Sequence, residues 1–174
     1  GVQSDGLKPR GRAYLVVTED AARNTRAPLY ATVAANFNHR IPTTILHTEG
    51  IRNAFDVMFY FTGTIKVPYL DTLGFLPGAI ADHLTSAGGQ LNGEGQMSAL
   101  RWLEAGATGS YGTVVEPCNF PQKFPHPGLV MKYSLAGETL IEAYWKSVVW
   151  PGQGVFIGEP LARPYASLTG SAGE

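Results

Sequence analysis

Val57-Met58-Phe59-Tyr60-Phe61 is a continuous apolar run that ends in Thr62-Gly63. Five large apolar residues in a row leave no polar face, so this strand must be covered on both sides, as a central strand of a parallel sheet is. That requirement constrains the rest of the chain, which has to supply further strands and two covering layers. Ala13–Thr18 is a second short, β-branched apolar run, and it closes in Thr18-Glu19-Asp20, oxygen-bearing residues suited to cap a helix from Ala21 onward. Apolar positions at Ala27, Tyr30, Ala31, Val33, Ala34 and Phe37 carry a helical spacing over 21–38, with Pro28 marking a break or a late start. Thr43–His47 reads as another strand, Pro77–Leu84 as a weaker one and Thr108–Val115 as the next. Helices are expected at Gln96–Ala105 and Glu138–Val148, and Gly154–Gly158 is a last short strand. The four prolines of PCNFPQKFPHP make 117–127 an irregular loop. Strands alternating with helices predict one α/β domain, a three-layer sandwich around a mostly parallel sheet, over residues 12–165. Residues 1–11 and 166–174 are small, polar and tail-like, and 1–11 lack the charged-then-apolar pattern of a leader.

The chain of 174 residues is long enough to bury roughly 70% of its unfolded surface. Its charged fraction, 16%, is well under the usual ~25%. The deficit is local: residues 53–118 hold two basic and six acidic groups, against seven and four in 1–52 and four of each in 119–174. That segment carries the central strands, so part of the deficit is burial, and the rest fits a surface covered by a neighbour. A net charge of -1 argues against nucleic acid as a partner held by bulk charge. No apolar run approaches the ~18 residues of a membrane span, which leaves only peripheral membrane association open. Cys118 is the single cysteine, so an internal disulfide is impossible.

Chemistry-bearing residues gather at the predicted strand ends. His39, His47, His83 and His126 have neither the spacing nor the cysteine partners of a structural metal site, and no metal is expected. Glycine motifs for nucleotides and a Gly-x-Ser-x-Gly elbow are absent, so no cofactor is expected. Asp82-His83-Leu84-Thr85-Ser86 falls at the C-terminal edge of the sheet, where open α/β folds bind ligands. Thr62, Gly63, Thr85 and Ser86 are therefore ligand-binding candidates. The competing reading is that His83 bonds a backbone carbonyl while Thr85 and Ser86 cap a turn. Glu116-Pro117-Cys118 follows the next strand, so Cys118 as nucleophile, His83 as base and Glu116 as the group orienting the imidazole form one possible hydrolase. Against it, a lone cysteine is usually a small buried hydrophobe. Glu159 and Arg163 are read as an ion pair that fixes the chain's exit from the sheet. Phe120, Phe124, Trp150 and Tyr165 are candidate interface anchors, unless they fold back on the domain.

Several segments carry a resemblance: FLPGAIADHLTSAGGQL, GQMSALRWLEAGATGSYGTVVEPCNFPQKFP, GETLIEAYWKSV and GVFIGEPLARP. Together they resemble a family of uncharacterised bacterial proteins found in species with the exosortase/PEP-CTERM sorting system, and the likeness runs from Gly11 to Pro164. The resemblance implies a C-terminal portion of a longer secreted or periplasmic precursor, with a protein partner or its own N-terminal half as neighbour. A more distant likeness is to the caspase-like fold of gingipain-type cysteine peptidases, in which one strand ends in the catalytic His-Gly and the next in the catalytic Cys. In this sequence Thr62 falls at the histidine position and His83 at the cysteine position, and Cys118 lies outside the dyad. What that implies is a peptidase-like scaffold without peptidase chemistry.

Overall fold

A computed structural model describes residues 10–117 and 120–166. Six strands form one sheet in the order β2-β1-β3-β4-β5-β6. They are β1 (Arg12–Val17), β2 (Thr43–His47), β3 (Val57–Gly63), β4 (Phe75–Leu84), β5 (Gly109–Thr113) and β6 (Gly154–Gly158). Strands β1 to β5 are parallel and β6 runs antiparallel to β5. The architecture is the expected α/β sandwich with a mostly parallel sheet. All seven residues of β3 are buried, which is what its unbroken apolar run demands of a strand flanked by β1 and β4.

Two cores sandwich the sheet. On one face, α1 (Tyr30–Phe37), α3 (Pro127–Leu135) and α4 (Leu140–Trp145) pack Val33, Val130, Met131, Leu135 and Tyr144 against Leu15, Phe59 and Phe61. The opposite face is thinner. A short helix α2 (Leu100–Glu104) and a single 3₁₀ turn at Leu70–Thr72 bring Trp102 and Leu70 onto Val16, Val57, Tyr60 and Ala81. Trp102 meets Tyr60 edge-on with ring centroids 5.0 Å apart.

The helices differ from their sequence-predicted extents for local reasons. The helix expected from Ala21 begins only with a 3₁₀ turn at Ala27–Leu29, because Pro28 suits a first turn and residues 18–26 are folded into a loop instead. That loop is tied by the Asn24 side chain, which donates to the Thr18 carbonyl (2.6 Å) and the Asp20 carbonyl (3.0 Å). The helix expected at Gln96–Ala105 shortens to α2, since Gln96 and Met97 are committed to the end of β4. Helix α3 follows directly on the proline-rich stretch. Pro127 stands at its first turn and His126 caps it, with Nδ1 accepting from the Leu129 amide at 3.4 Å. Helix α4 opens with a capping box: Thr139 and Glu142 exchange side-chain and backbone hydrogen bonds. Strand β4 is longer than its sequence signal, and its register against β3 shifts between Val57 and Phe59. The irregularity coincides with Pro77 and with Gly78 at φ +87°.

Phe124 and Tyr165, expected as exposed anchors, are 2% and 4% exposed and belong to the core. Phe124 lies against the Arg26 guanidinium, 5.9 Å from its ring centre, and Tyr165 closes the core beside β1. Phe120 and Trp150 do remain exposed, and their rings lie 5.8 Å apart. Arg163 does not pair with Glu159: its Nε donates to the Gly137 carbonyl at 2.8 Å, so it fastens the chain's exit to the α3–α4 turn.

Candidate functional site

Parallel pairing aligns the ends of β3 and β4 so that Thr62 stands opposite His83 and Gly63 opposite Leu84. The sequence therefore placed His83, Thr85 and Ser86 correctly at the C-terminal edge of the sheet. Their side chains, however, turn inward. His83 is 1% exposed. Its Nδ1 accepts from the Trp102 indole N–H at 2.9 Å, which puts the ring proton on Nε2, and Nε2 donates to the Met97 carbonyl at 3.0 Å. Burial pushes its pKa down to about 4; the Met97 carbonyl opposes this, and Arg26 and Arg23 add to it. Both ring nitrogens are thus occupied and the imidazole is neutral. It has no lone pair left to take a proton from a nucleophile, which corrects its assignment as a general base.

Beside it runs a polar chain. The Arg23 Nε donates to the Thr85 hydroxyl (3.0 Å), which donates to the Gln96 carbonyl oxygen (2.6 Å). The Ala87 amide donates to the same oxygen at 2.8 Å, while the Gln96 amide nitrogen donates to the Ser86 hydroxyl at 2.9 Å. Ser86 in turn donates to the Glu116 carboxylate. Glu116 therefore takes its hydrogen bond from Ser86 and does not orient His83, a second correction to the hydrolase constellation. Cys118 lies outside the described residues.

Deeper still, Arg26 and Asp82 form an ion pair at 2.6 Å, both side chains at 2% exposure or less. Arg26 also donates to the Thr62 carbonyl (2.9 Å) and the Pro125 carbonyl (3.1 Å), joining β3, β4 and the proline-rich loop. Burial works against the Arg26 charge, but Asp82, Tyr30 and Tyr144 together outweigh it and the pKa rises. Burial raises that of Asp82, with Arg26 opposing.

The order of the strands reverses between β1 and β3, and the crevice at such a switch point is the usual ligand site of an open parallel sheet. Here residues 18–26 fill it. The Thr18 hydroxyl donates to the Gly63 carbonyl at 2.6 Å. The Arg23 backbone lies so close that a Cβ on Gly63 would stand 1.9 Å from the Arg23 oxygen. Glycine at 63 is thus a packing requirement, and Thr62 and Gly63 offer no surface to a ligand. A groove of about 870 Å³ nearby has walls that include Lys66, Tyr69, Gln96, Met97 and Arg101. None of Thr62, Gly63, His83, Thr85 or Ser86 lines that groove.

Gln96, Arg23, Arg26 and Trp102 organise this edge, and sequence reasoning missed all four. Only Trp102 carried a signal, as an apolar position on a helix; Arg23, Arg26 and Gln96 lay within stretches expected to be helical and carried none of their own. Among the described residues, no group of three or more His, Cys, Asp and Glu side chains is arranged to hold a metal ion, and no helix is long and apolar enough to cross a membrane. No family model, curated protein or solved structure matches this chain.

Proposed function

We propose that this chain is a non-catalytic binding or assembly domain on a peptidase-like α/β scaffold, acting as a subunit or fragment of a larger secreted or periplasmic bacterial assembly. One observation carries the reading: at the strand end where a peptidase of the gingipain type would hold its dyad, Thr62 pairs in register with a His83 that is buried, neutral and bonded at both nitrogens. A reactive dyad needs a base with a free lone pair facing a cavity. The polar chain from Arg23 to Glu116 supports the same reading, because its groups are satisfied by one another. The partner is a protein, either a separate subunit or an N-terminal half of the same precursor, met by exposed apolar groups such as Phe120 and Trp150.

The test is a fluorogenic peptide library incubated with the purified chain, together with a photo-crosslinking amino acid placed at Phe120 in the native host. The reading expects no turnover above blank and one discrete crosslinked neighbour. Turnover that disappears in Cys118→Ala would overturn it in favour of a cysteine-dependent hydrolase.

A further inference from the structure

Strand β6 ends the sheet, and its far edge is bare: among the described residues no hydrogen bond reaches it from the side away from β5. An open strand edge is a template for another strand, and proteins usually guard it with a charge, a proline or a bulge. β6 has none of these. Its sequence, Gly154-Val155-Phe156-Ile157-Gly158, contains no charged residue and no proline, and its pairing with β5 runs without a register shift over all five residues. The opposite edge strand, β2, ends in His47, and the charge and proline nearest to β6, Glu159 and Pro160, lie just past its end.

The residues around β6 point the same way. Val149 is 70% exposed and Leu161 72%, and Trp145 and Trp150 are exposed as well. Trp150 precedes the 3₁₀ turn at Pro151–Gln153 that leads into β6, Leu161 follows the strand, and Trp145 ends α4, whose Tyr144 packs on Phe156 with ring centroids 5.2 Å apart. Val155 and Ile157 are half-buried and belong to neither core cluster. Phe156 is therefore the residue that fixes the strand to its own domain, while its two neighbours remain unspent.

The identity of the occupant follows from the strand itself. Gly-Val-Phe-Ile-Gly reads nearly the same in both directions about Phe156. An antiparallel pair of two such strands, centred on Phe156, sets each Val155 opposite the other copy's Ile157 and each Gly154 opposite Gly158. β-branched cross-strand pairs of this kind are favourable, and nothing charged is buried. A two-fold axis requires one surface to be complementary to itself, which this strand is. We propose that two copies of this chain associate through β6, joining two six-stranded sheets into one of twelve strands, with the exposed Trp145, Val149, Trp150 and Leu161 closing over the seam.

This deepens the assembly reading by naming a second copy as partner, and the two fail separately. Peptide turnover would sink the assembly reading and leave the edge intact, whereas a monomer would sink the edge and leave that reading standing. The experiment is analytical ultracentrifugation of the whole chain across micromolar concentrations, on the native protein and on Val155→Lys/Ile157→Lys. The native chain is expected to dimerise with micromolar affinity, and the lysine pair, placing like charges against each other, to weaken it at least ~100-fold. Circular dichroism checks that the variant is folded. Should it fail to fold, Val155→Cys/Ile157→Cys in a Cys118→Ser background takes its place, with a disulfide-linked dimer expected on mild oxidation. A native chain that stays monomeric overturns the proposal. So does a dimer that neither responds to the lysines nor crosslinks through the cysteines, since its interface then lies elsewhere.

Discussion

The ends of β3 and β4 and the free edge of β6 lie in the same sheet and have opposite characters. The strand ends are crowded with groups that could do chemistry: His83, Thr85, Ser86, Gln96, Glu116, Arg23 and the Arg26–Asp82 pair. These side chains are largely engaged with one another, and a loop of the chain itself occupies the crevice. The β6 edge has almost no polar side chains, yet among the described residues nothing pairs with its outer backbone, and its apolar neighbours are exposed. Richness in titratable residues is therefore a poor guide to where this molecule meets others. What a region leaves unpaired at the surface is the better guide, since the unpartnered atoms of the strand ends, Arg26 Nε and Thr62 Oγ1 among them, are buried, and by that measure the outward-facing part of the sheet is its last strand.

The strand ends are held most strongly at their centre, by the buried Arg26–Asp82 pair. Arg26→Met removes the partner of Asp82 and leaves a carboxylate in the core, a change expected to cost about 3–5 kcal/mol in urea unfolding. Replacing both residues with apolar ones of similar size (Arg26→Met with Asp82→Leu) is expected to recover much of that loss, because the desolvation of two charges disappears along with their attraction. A loss below ~1 kcal/mol in the single variant would mean that the strand ends are not the rigid half of the pair.

Acid offers the next largest effect. His83 is held to about 4 in the folded chain by burial, against ~6.5 when unfolded. Between these values the unfolded chain binds a proton that the folded one refuses. Stability is therefore full above ~6.5 and falls as the pH drops toward ~4, by about 3 kcal/mol in all from this residue. His83→Leu leaves the Trp102 indole and the Met97 carbonyl without their partner, at a cost of about 2–4 kcal/mol at neutral pH. The same variant should flatten most of the acid dependence over that window. Burial also lowers His126, so a smaller slope of the same sign remains. An unchanged slope in His83→Leu would show that the strand ends are wetter than their hydrogen bonding implies.

The strand-end positions of these residues were legible in the sequence, and their engagement was not. The run at 57–61 required a central strand, and Asp82-His83 fell at the next strand's end by alternation alone. Whether His83 was a base or a satisfied core histidine turned on Trp102 and Met97, 19 and 14 residues away along the chain, and no local pattern encodes such a pairing. Arg26 shows the same limit in stronger form: nothing around this arginine in the sequence signals that its side chain is buried in the fold. β6 was legible as a strand, but its lying at the edge and running antiparallel are properties of the whole topology. Helix α3 was lost among the prolines, since its cap and first turn, His126 and Pro127, read as loop residues.

The smallest effect is expected at the β6 side of the sheet. Helix α4 covers β6 and carries Trp145, and it rests on the capping box of Thr139 and Glu142. The Thr139 hydroxyl and amide both donate to the Glu142 carboxylate, at 2.6 and 3.0 Å, and these bonds lower its pKa. Thr139→Ala removes one half of the box and should cost about 1 kcal/mol. More telling is where the loss appears. The strand ends are tied by buried groups that do not touch α4's first turn, so amide exchange should quicken in 140–145 and 154–158 while β3 and β4 keep their protection. Equal quickening in β3 would show that the two regions open as one unit, and the contrast between a closed strand end and a separately adjustable edge would then dissolve.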